Sequence, residues 1–278
     1  MEIIELKLSE LEFRKIRSIV YNTTGINLVD SKRALVVSRL ARRLRQLNLD
    51  SFLPYIRLLE SDANEVLLMI NRITTNLTKF YREKSQFVVL KKEVLPLILE
   101  NKKRKGENWL RIWSAGCSTG EEVYTILFEI ADAFNGRIPM NLDLKILGSD
   151  IDTNVLNKAA SACYSVDEIA GLQPETRDKF LDKQVNNQYR IKEQWRKYVL
   201  FKRMNLVADT FTFKRKLDVI FCRNVVIYFD KKTREELYKK FHSVLSEPGF
   251  FFSGHSENLF KYHDVFKFLE KSIYKKVV

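Results

Sequence analysis

Residues 110–122 read LRIWSAGCSTGEE, and this stretch decides the fold of the larger part of the chain. An apolar, strand-like run leads into a turn that contains Gly116 and Gly120, and a helical pattern follows at once. Glycine lets the backbone come close to a ligand because it has no side chain in the way. The chain has only nine glycines, so two within one short turn are informative. The stretch predicts a strand–turn–helix unit that binds a ligand.

The turn has the wrong spacing for a nucleotide phosphate. Its glycines follow a G-x-x-x-G pattern, which is neither the G-x-G-x-x-G of dinucleotide-binding folds nor the G-K-[ST] of a phosphate loop. The turn ends in Glu121 and Glu122, whose carboxylates would repel a phosphate and attract a cation. S-adenosylmethionine carries sulfonium and ammonium groups and no phosphate, so we expect this class of ligand here.

Two further strand ends are predicted beside this turn. After about residue 106, short apolar runs alternate with helical stretches, which predicts an α/β fold with a mostly parallel sheet. The run LKILGSD ends in Asp150, whose carboxylate can accept hydrogen bonds from both hydroxyls of a ribose, and the run LDVIFCRN ends in Asn224. The carboxyl ends of parallel strands meet at one edge of a sheet, so these residues are expected to line one crevice. Taken singly, Glu121 could be a helix-terminal charge, Asp150 a helix cap and Asn224 a turn residue.

The N-terminal part of the chain reads as a small helical domain over residues 1–75, and the α/β domain follows over residues 76–278. Ser9 is placed to cap the first helix and Gly25 to end it. The next helix is predicted to have an apolar face of Val37, Leu40, Leu44 and Leu47 opposite a basic face of Lys32, Arg39, Arg42 and Arg43. A polar, partly alternating stretch at 184–202 predicts a small β-subdomain inserted in the α/β domain.

The formal net charge of +13 indicates attraction to an acidic partner, which could be nucleic acid, an anionic membrane surface or an acidic protein. A general bias towards lysine would give the same total. The three cysteines form no C-x-x-C pair and the three histidines lack metal-ligand spacing, so no metal site is expected. No apolar run reaches the ~20 residues that cross a bilayer, and the acidic beginning is unlike a secretion signal, so we expect a cytoplasmic protein.

Several motifs resemble, in order, those of the chemotaxis receptor methyltransferases of the CheR type. They are ITTNLTKFYRE at 73–83, LRIWSAGCSTGEE at 110–122, GSDID at 148–152, IFCRNVVIYFD at 220–230 and SGHSENL at 253–259. The resemblance covers nearly the whole chain, including its helical beginning. It implies a Rossmann-like methyltransferase that uses S-adenosylmethionine to esterify glutamate side chains of chemotaxis receptors, with S-adenosylhomocysteine as the product. Such an enzyme serves sensory adaptation in signal transduction.

The resemblance also implies roles for single residues. Those expected to hold the methionine and ribose parts of the cofactor are Asn76, Thr78, Arg82, Glu121 and Asp150, with Arg82 as partner of the cofactor carboxylate. Those expected around the adenosine and the reacting region are Asn205, Leu206, Asn224 and Val225. Tyr228 would lie near the methyl-transfer centre, where Tyr228 and Arg82 position the reactants.

The acceptor that this family implies explains two features of the sequence. A glutamate has a pKa near ~4.3 and is ionised at neutral pH, so the reaction needs no general base and no catalytic histidine. The basic helix, with Arg39, Arg42 and Arg43 and no acidic residue between Asp30 and Asp50, is expected to bind the acidic receptor helices. A solvated basic face or a nucleic-acid surface would look the same.

Two rival functions are a nucleic-acid methyltransferase and a non-enzymatic, cofactor-binding scaffold. Against the first, no aromatic–proline motif of the amino-methylating enzymes is present. The protein is expected to act as a monomer that meets the membrane only through its receptor, without nucleic acid. The stretch from Phe180 to Tyr198 contains no glycine, so we expect no tether to a peptide at the receptor's C-terminus.

Overall fold

The computed structural model describes residues 6–257 and 259–277, and these form two compact units. The first unit contains the described residues up to Thr75 together with Tyr228–Thr233. The second contains Asn76–Ile227 and the described residues from Arg234 onwards. The sequence predicts residues 228–233 as part of the α/β domain. In the structure Tyr21 Oη donates to Asp230 and Asn27 N donates to Tyr228 O, so this segment packs with the helices instead.

The first unit is helical. Its helices are α1 (Glu10–Thr24), α2 (Arg33–Gln46), α3 (Phe52–Ser61) and α4 (Ala63–Ile73). Ser9 caps α1 through a capping box with Glu12, and Gly25 ends the helix with a φ of 73°, as the sequence predicted. The core between the helices includes Phe13, Ile16, Leu40 and Ile56.

The apolar face of α2 differs slightly from the predicted one. Val36, Leu40 and Leu44 are buried, whereas Val37 and Leu47 are half-buried. A helix turns 100° per residue, so positions at the margin of an apolar stripe are assigned by the neighbouring helices and not by spacing.

The basic face of α2 carries less free charge than its sequence predicted. Arg43 forms an ion pair with Glu65 of α4, which is buried and also accepts a hydrogen bond from Tyr55 at 2.9 Å. Arg39 donates to the backbone carbonyls of Arg72 and Thr74 at 3.1 and 2.6 Å. The predicted positive face is therefore partly neutralised at Arg43, because an acidic partner comes from another helix. Arg42 stays exposed.

The second unit is built on a seven-stranded sheet among the described residues. Its strands are β1 (Trp109–Ala115), β2 (Asp143–Asp150), β6 (Val199–Arg203), β7 (Leu217–Cys222), β8 (Leu245–Ser253), β9 (Phe266–Glu270) and β10 (Ile273–Lys276). They lie in the order β6-β2-β1-β7-β8-β10-β9, parallel from β6 to β8, and β10 runs antiparallel to both of its neighbours. The predicted α/β class with a mostly parallel sheet is confirmed.

The second unit also contains helices. They are α5 (Lys84–Val89), which continues through a π-helical turn at Leu90–Val94 into α6 (Leu95–Arg104), then α7 (Glu121–Ala133), α8 (Thr153–Ser161), α9 (Val166–Ile169), α10 (Pro174–Phe180), α11 (Glu193–Arg196) and α12 (Lys231–Val244). Of these, α6, α7 and α8 pack against the seven-stranded sheet. Every residue of β7 is buried, as expected of a central parallel strand that is covered on both faces. Within the described residues, no helix is both long and apolar enough to cross a bilayer.

The small sheet lies elsewhere in the chain than predicted. Its strands are β3 (Cys163–Ser165), β4 (Leu181–Lys183) and β5 (Gln188–Ile191), in the order β3-β5-β4. Of the predicted stretch 184–202, only the first part contributes to it, and residues 199–203 form edge strand β6 beside β2. Alternation alone does not say which sheet a strand joins, so the predicted boundaries were wrong.

Removing the buried carboxylate of the first unit should weaken its packing. We expect Glu65→Ala to lower the free energy of unfolding by about 3 kcal/mol, because it leaves Arg43 and Tyr55 without their acceptor. Urea denaturation measures the change. Glu60→Ala is the matched control, since Glu60 pairs with Lys15 while both side chains are more than half exposed; its loss should stay below about 1 kcal/mol.

The Glu65 contribution should also depend on pH. Burial raises the pKa of Glu65, but hydrogen bonds from Arg43 and Tyr55 outweigh it and hold the pKa below the ordinary 4.5. Its stabilisation is therefore present above pH 4.5 and is lost as the pH falls through the lowered pKa. Equal losses for Glu65→Ala and Glu60→Ala at pH 7 would contradict the predicted contribution of Glu65. A loss for Glu65→Ala that stays constant as the pH falls below 4.5 would contradict its predicted pH dependence.

Candidate active site

The glycine turn at the carboxyl end of β1 is held against β2. The backbone N–H groups of Gly116 and Cys117 both donate to Ser149 O, at 2.8 and 2.9 Å. Gly116 has a φ of 78°, and a side chain there would lie 2.4 Å from Val225 Cγ2. The glycine is therefore needed for the close approach of the segment after β7, as well as for any ligand.

Asp150 organises the backbone at the end of β2. Its Oδ2 accepts from Ser118 N at 2.9 Å, and its Oδ1 accepts from Asp152 N at 3.0 Å. The side chain keeps partial exposure, and burial raises the pKa of Asp150. Each carboxylate oxygen has two lone pairs, so further acceptor capacity remains for hydroxyl groups of a ligand. The cap of α8 is Asp152, whose carboxylate accepts from Asn154 N, so Asp150 is not the helix cap.

The segment that begins at Asn76 is tied to the same turn. Asn76 Nδ2 donates to Asp152 Oδ2 at 2.7 Å, and Ser118 Oγ donates to Asn76 O at 2.9 Å. Thr78 follows and is half-buried. The TNLT motif and the strand ends, which are distant in sequence, therefore lie side by side.

Arg82 sits in a tight turn of this segment. Its Nη1 donates to Leu77 O at 2.7 Å. The residues on either side, Tyr81 and Glu83, have φ values of 55° and 58°, in the left-handed region that non-glycine residues seldom adopt. Tyr81 is held by a hydrogen bond from its N–H to Thr125 Oγ1 at 3.2 Å. The turn therefore presents Arg82 in a conformation that other side chains support.

The two glutamates after the glycine turn have different partners. Glu121 is buried and accepts from Thr119 Oγ1 with both oxygens, at 2.9 and 2.7 Å, and burial raises its pKa. Glu122 accepts from Ser114 Oγ at 2.7 Å and pairs with Arg223 at 3.2 Å. Their adjacent positions in the sequence predict the same role, but only Glu121 belongs to the turn's own hydrogen bonds.

The segment after β7 forms another supported turn. Asn224 has a φ of 58°, and the buried carboxylate of Glu257 accepts a hydrogen bond from Gly254 N at 2.6 Å. Burial raises the pKa of Glu257, and the neighbouring backbone N–H groups of Asn224, Val225 and Ile227 oppose that rise. Asn224 Oδ1 is buried and receives no hydrogen bond from the described residues. A buried acceptor without a donor costs about 1–3 kcal/mol, so a ligand that donates there would bind favourably.

The loop after β6 joins the same strand ends. Met204 N donates to Asp150 O at 3.0 Å, which places Asn205 and Leu206 next to the end of β2. Asn205 Oδ1 accepts from Val207 N at 3.2 Å, and Leu206 is buried. The structure therefore brings together all the candidate residues of the second unit.

The remaining candidates belong to the first unit. Tyr228 lies in the segment that packs with the helices, and Arg39, Arg42 and Arg43 lie on α2. Sequence reasoning assigned no role to Glu83, Arg223 or Glu257, although all three stand inside quoted motifs. For Arg223 the signal that could have found it was an ionisable residue directly after the apolar run at 219–222, which ends β7.

The donors and acceptors of this site fit S-adenosylmethionine. Carboxylates suit its cationic and hydroxyl groups, an orphan acceptor at Asn224 suits an N–H group, and the guanidinium of Arg82 suits its carboxylate. None of these groups forms a phosphate loop.

Comparison with known proteins agrees with the geometry. The family model described as "CheR methyltransferase, SAM binding domain" matches residues 76–275, and "CheR methyltransferase, all-alpha domain" matches residues 11–74. The "Chemotaxis protein methyltransferase" of Borreliella burgdorferi is 38% identical over 258 residues, which cover 92% of this chain and 91% of that protein. Proteins of the same name in Salmonella typhimurium and Escherichia coli are each 40% identical over 258 residues, with 91% of this chain and 85% and 86% of theirs covered.

Three observations lead to one assignment. Candidate cofactor-binding residues lie at the carboxyl ends of parallel strands, a helical unit precedes them in the chain, and two adjacent family matches follow the same division. This chain belongs to the CheR family of S-adenosylmethionine-dependent methyltransferases.

Proposed function

We propose that this protein transfers a methyl group from S-adenosylmethionine to glutamate side chains of chemotaxis receptors in the cytoplasm, and releases S-adenosylhomocysteine. The observation that carries the proposal is the set of carboxylates, Asp150 and Glu121 among them, at the ends of parallel strands in a chain of the CheR family. The names of the relatives, all chemotaxis protein methyltransferases, support the receptor as substrate. The protein acts as a monomer and reaches the membrane only through the receptor.

The cofactor supplies a methyl group on a positively charged sulfur. A carboxylate oxygen of the acceptor forms the new bond to the methyl carbon while the carbon–sulfur bond breaks, so opposite charges are neutralised. Nothing needs to remove a proton, because the acceptor is already ionised. The protein's task is to hold the two partners in line, an arrangement that contributes on the order of 7–11 kcal/mol in favourable cases.

The residues of the crevice divide this task. Arg82 binds the carboxylate of the cofactor, with Asn76 and Thr78 beside it, and Glu121 and Asp150 bind its amino and ribose groups. The adenosine and the reacting region are held by Asn205, Leu206, Asn224 and Val225. Tyr228 positions the acceptor at the methyl-transfer centre.

On the helical unit we propose that Arg42 contributes directly to receptor binding, because it is exposed and no carboxylate of the described residues pairs with it. Arg39 and Arg43 contribute mainly by holding α2 in place, since their guanidinium groups bond to backbone carbonyls and to Glu65.

The cofactor assignment predicts that Asp150→Asn weakens binding of S-adenosylhomocysteine at least about tenfold, since an amide nitrogen would face an N–H group or a ribose hydroxyl and one acceptor would be lost. Calorimetry measures the affinity. The control is Asp143→Asn at the opposite end of the same strand, where the carboxylate pairs with Arg111 and is 46% exposed. Unchanged affinity in a folded Asp150→Asn protein would refute the assignment.

The receptor assignment predicts that Arg42→Glu raises the KM for receptor several-fold and leaves cofactor affinity unchanged. The defect should shrink with added salt, because exposed charges are screened over ~10 Å at 0.1 M. Arg57→Glu on α3 is the matched control, since it reverses another exposed charge of the same unit. Equal effects of the two substitutions would show that only total charge matters. Arg43→Glu is unsuitable, because it places two carboxylates together at Glu65.

We predict that the small sheet does not bind a peptide from the C-terminus of a receptor. The turn between β4 and β5 is left-handed at Asn186 and Asn187, with φ values of 60° and 55°. Glycine commonly adopts this conformation, but here both positions carry a side chain. Such side chains leave less room beside the backbone of this turn than glycine would. Calorimetric titration with peptides from the ends of its own receptors should show no saturation at micromolar concentration. A clear micromolar isotherm, or slower methylation of receptors that lack these residues, would contradict the prediction.

A further inference from the structure

A buried arginine stands directly before Asn224 and contacts several parts of the active site. The side chain of Arg223 is 1% exposed. It pairs with Glu83 at 3.0 Å and with Glu122 at 3.2 Å, and its Nη2 also donates to Arg82 O. Three segments far apart in sequence therefore meet at one guanidinium group.

The contact with Arg82 O matters because of the backbone around it. Arg82 lies between two residues in the left-handed region, Tyr81 and Glu83, a conformation that residues with a Cβ atom seldom adopt because it is sterically unfavourable. A turn of this kind persists only where neighbouring groups hold it. Arg223 supplies two of those contacts, one to the carbonyl of Arg82 and one to the side chain of Glu83.

Glu83 extends the link to the adenosine side of the crevice. Its Oε2 accepts from Arg223, and its Oε1 accepts from Asn224 Nδ2 at 3.4 Å. Although burial raises the pKa of Glu83, the neighbouring Arg223 outweighs it and holds the pKa below the ordinary value, so the carboxylate stays charged. One carboxylate thus joins the turn of Arg82 to Asn224.

The other side of the guanidinium group is anchored to the glycine turn. Glu122 accepts one hydrogen bond from Arg223 Nη1 and another from Ser114 Oγ on β1, just before Gly116. Arg223 is therefore fixed by β1 and α7, and the position of Arg82 is set against the same elements that carry the cofactor turn.

From these contacts we infer that Arg223 and Glu83 are positioning residues, which hold Arg82 and Asn224 in the arrangement that binds S-adenosylmethionine. The inference rests on the proposed roles of Arg82 and Asn224 in cofactor binding. Neither Arg223 nor Glu83 is a catalytic residue, because each acts through a neighbour.

The test uses Arg223→Lys in the full-length chain. Lysine keeps the positive charge between Glu83 and Glu122, but its single ammonium group cannot serve both carboxylates and the carbonyl of Arg82 in the geometry of the fork. Calorimetry with S-adenosylhomocysteine should show about tenfold weaker binding than in the wild type. In an Arg82→Ala background the same substitution should cost less than about threefold, since residues that act through one another are not additive.

The matched control is Asp218→Asn, which alters another buried ion pair of the same unit, with Lys102 at 2.9 Å. It should lower the melting temperature, as Arg223→Lys does, and leave the affinity for S-adenosylhomocysteine within about twofold, because Asp218 lies at the amino end of β7. Glu83→Gln keeps the size and one acceptor oxygen of Glu83, and should reproduce the loss of affinity even if Arg223→Lys folds poorly.

Equal losses of affinity in the wild-type and Arg82→Ala backgrounds, or an equal loss from Asp218→Asn, would overturn the inference and leave Arg223 a purely structural residue. The comparison uses no receptor, so an error in the proposed acceptor would appear as absent receptor methylation and would not alter these affinities.

Discussion

The active site depends on one constraint. The segments that follow the carboxyl ends of the strands carry backbone N–H groups shielded from water, and each of these groups needs a hydrogen-bond acceptor. Carboxylates supply these acceptors. Asp150 accepts from Ser118 and Asp152, and Glu257 accepts from Gly254 in the segment after β8. Each carboxylate fixes the path of one connecting segment. The crevice has its shape because acidic side chains, and not further strand pairing, complete the hydrogen bonding at this edge of the sheet.

This constraint explains how a chain with a net charge of +13 has an acidic cofactor site. Burial raises the pKa of Asp150, Glu121 and Glu257, but each group also accepts hydrogen bonds that favour its charged form. A cationic cofactor adds attraction at the same place. Arg82 and Arg223 also lie at this site, whereas exposed basic residues such as Arg42 suit an acidic receptor. The carboxylates of the site suit the cationic cofactor, whereas the net positive charge of the molecule suits the proposed acidic receptor.

Ion pairs inside each unit decide which charges remain available. On α2, Arg43 looks like a surface residue in the sequence, yet Glu65 and Tyr55 enclose it in a hydrogen-bonded group. In the second unit, Arg223 is almost completely buried between Glu83 and Glu122. Both arginines use the planar guanidinium group to bridge elements that are distant in sequence. The net charge of a helix therefore overstates the positive charge that the helix presents to a receptor.

The sequence by itself determined the class of the fold, the helical beginning and the type of ligand. Those features follow from local rules: alternating apolar runs, a Ser9 cap with Gly25 at the helix end, and a glycine turn that ends in carboxylates. The strand ends at Asp150 and Asn224 were predictable too, since parallel strands place them at one edge. The local contact of Asp152 with Asn154 N gives Asp152 the cap of α8, and tertiary structure decided that Asp150 accepts instead from Ser118 of the glycine turn.

Tertiary structure also decided how residues far apart in sequence meet. Whether residues 199–203 belong to the small sheet or the main one depends on which backbone pairs with them, and β2 does so. The partner of Arg43, the place of residues 228–233 beside α1, and the guanidinium group that joins Arg82 to Glu122 depend on contacts between distant segments. Periodicity and spacing describe one element at a time, so they carry no information about such contacts.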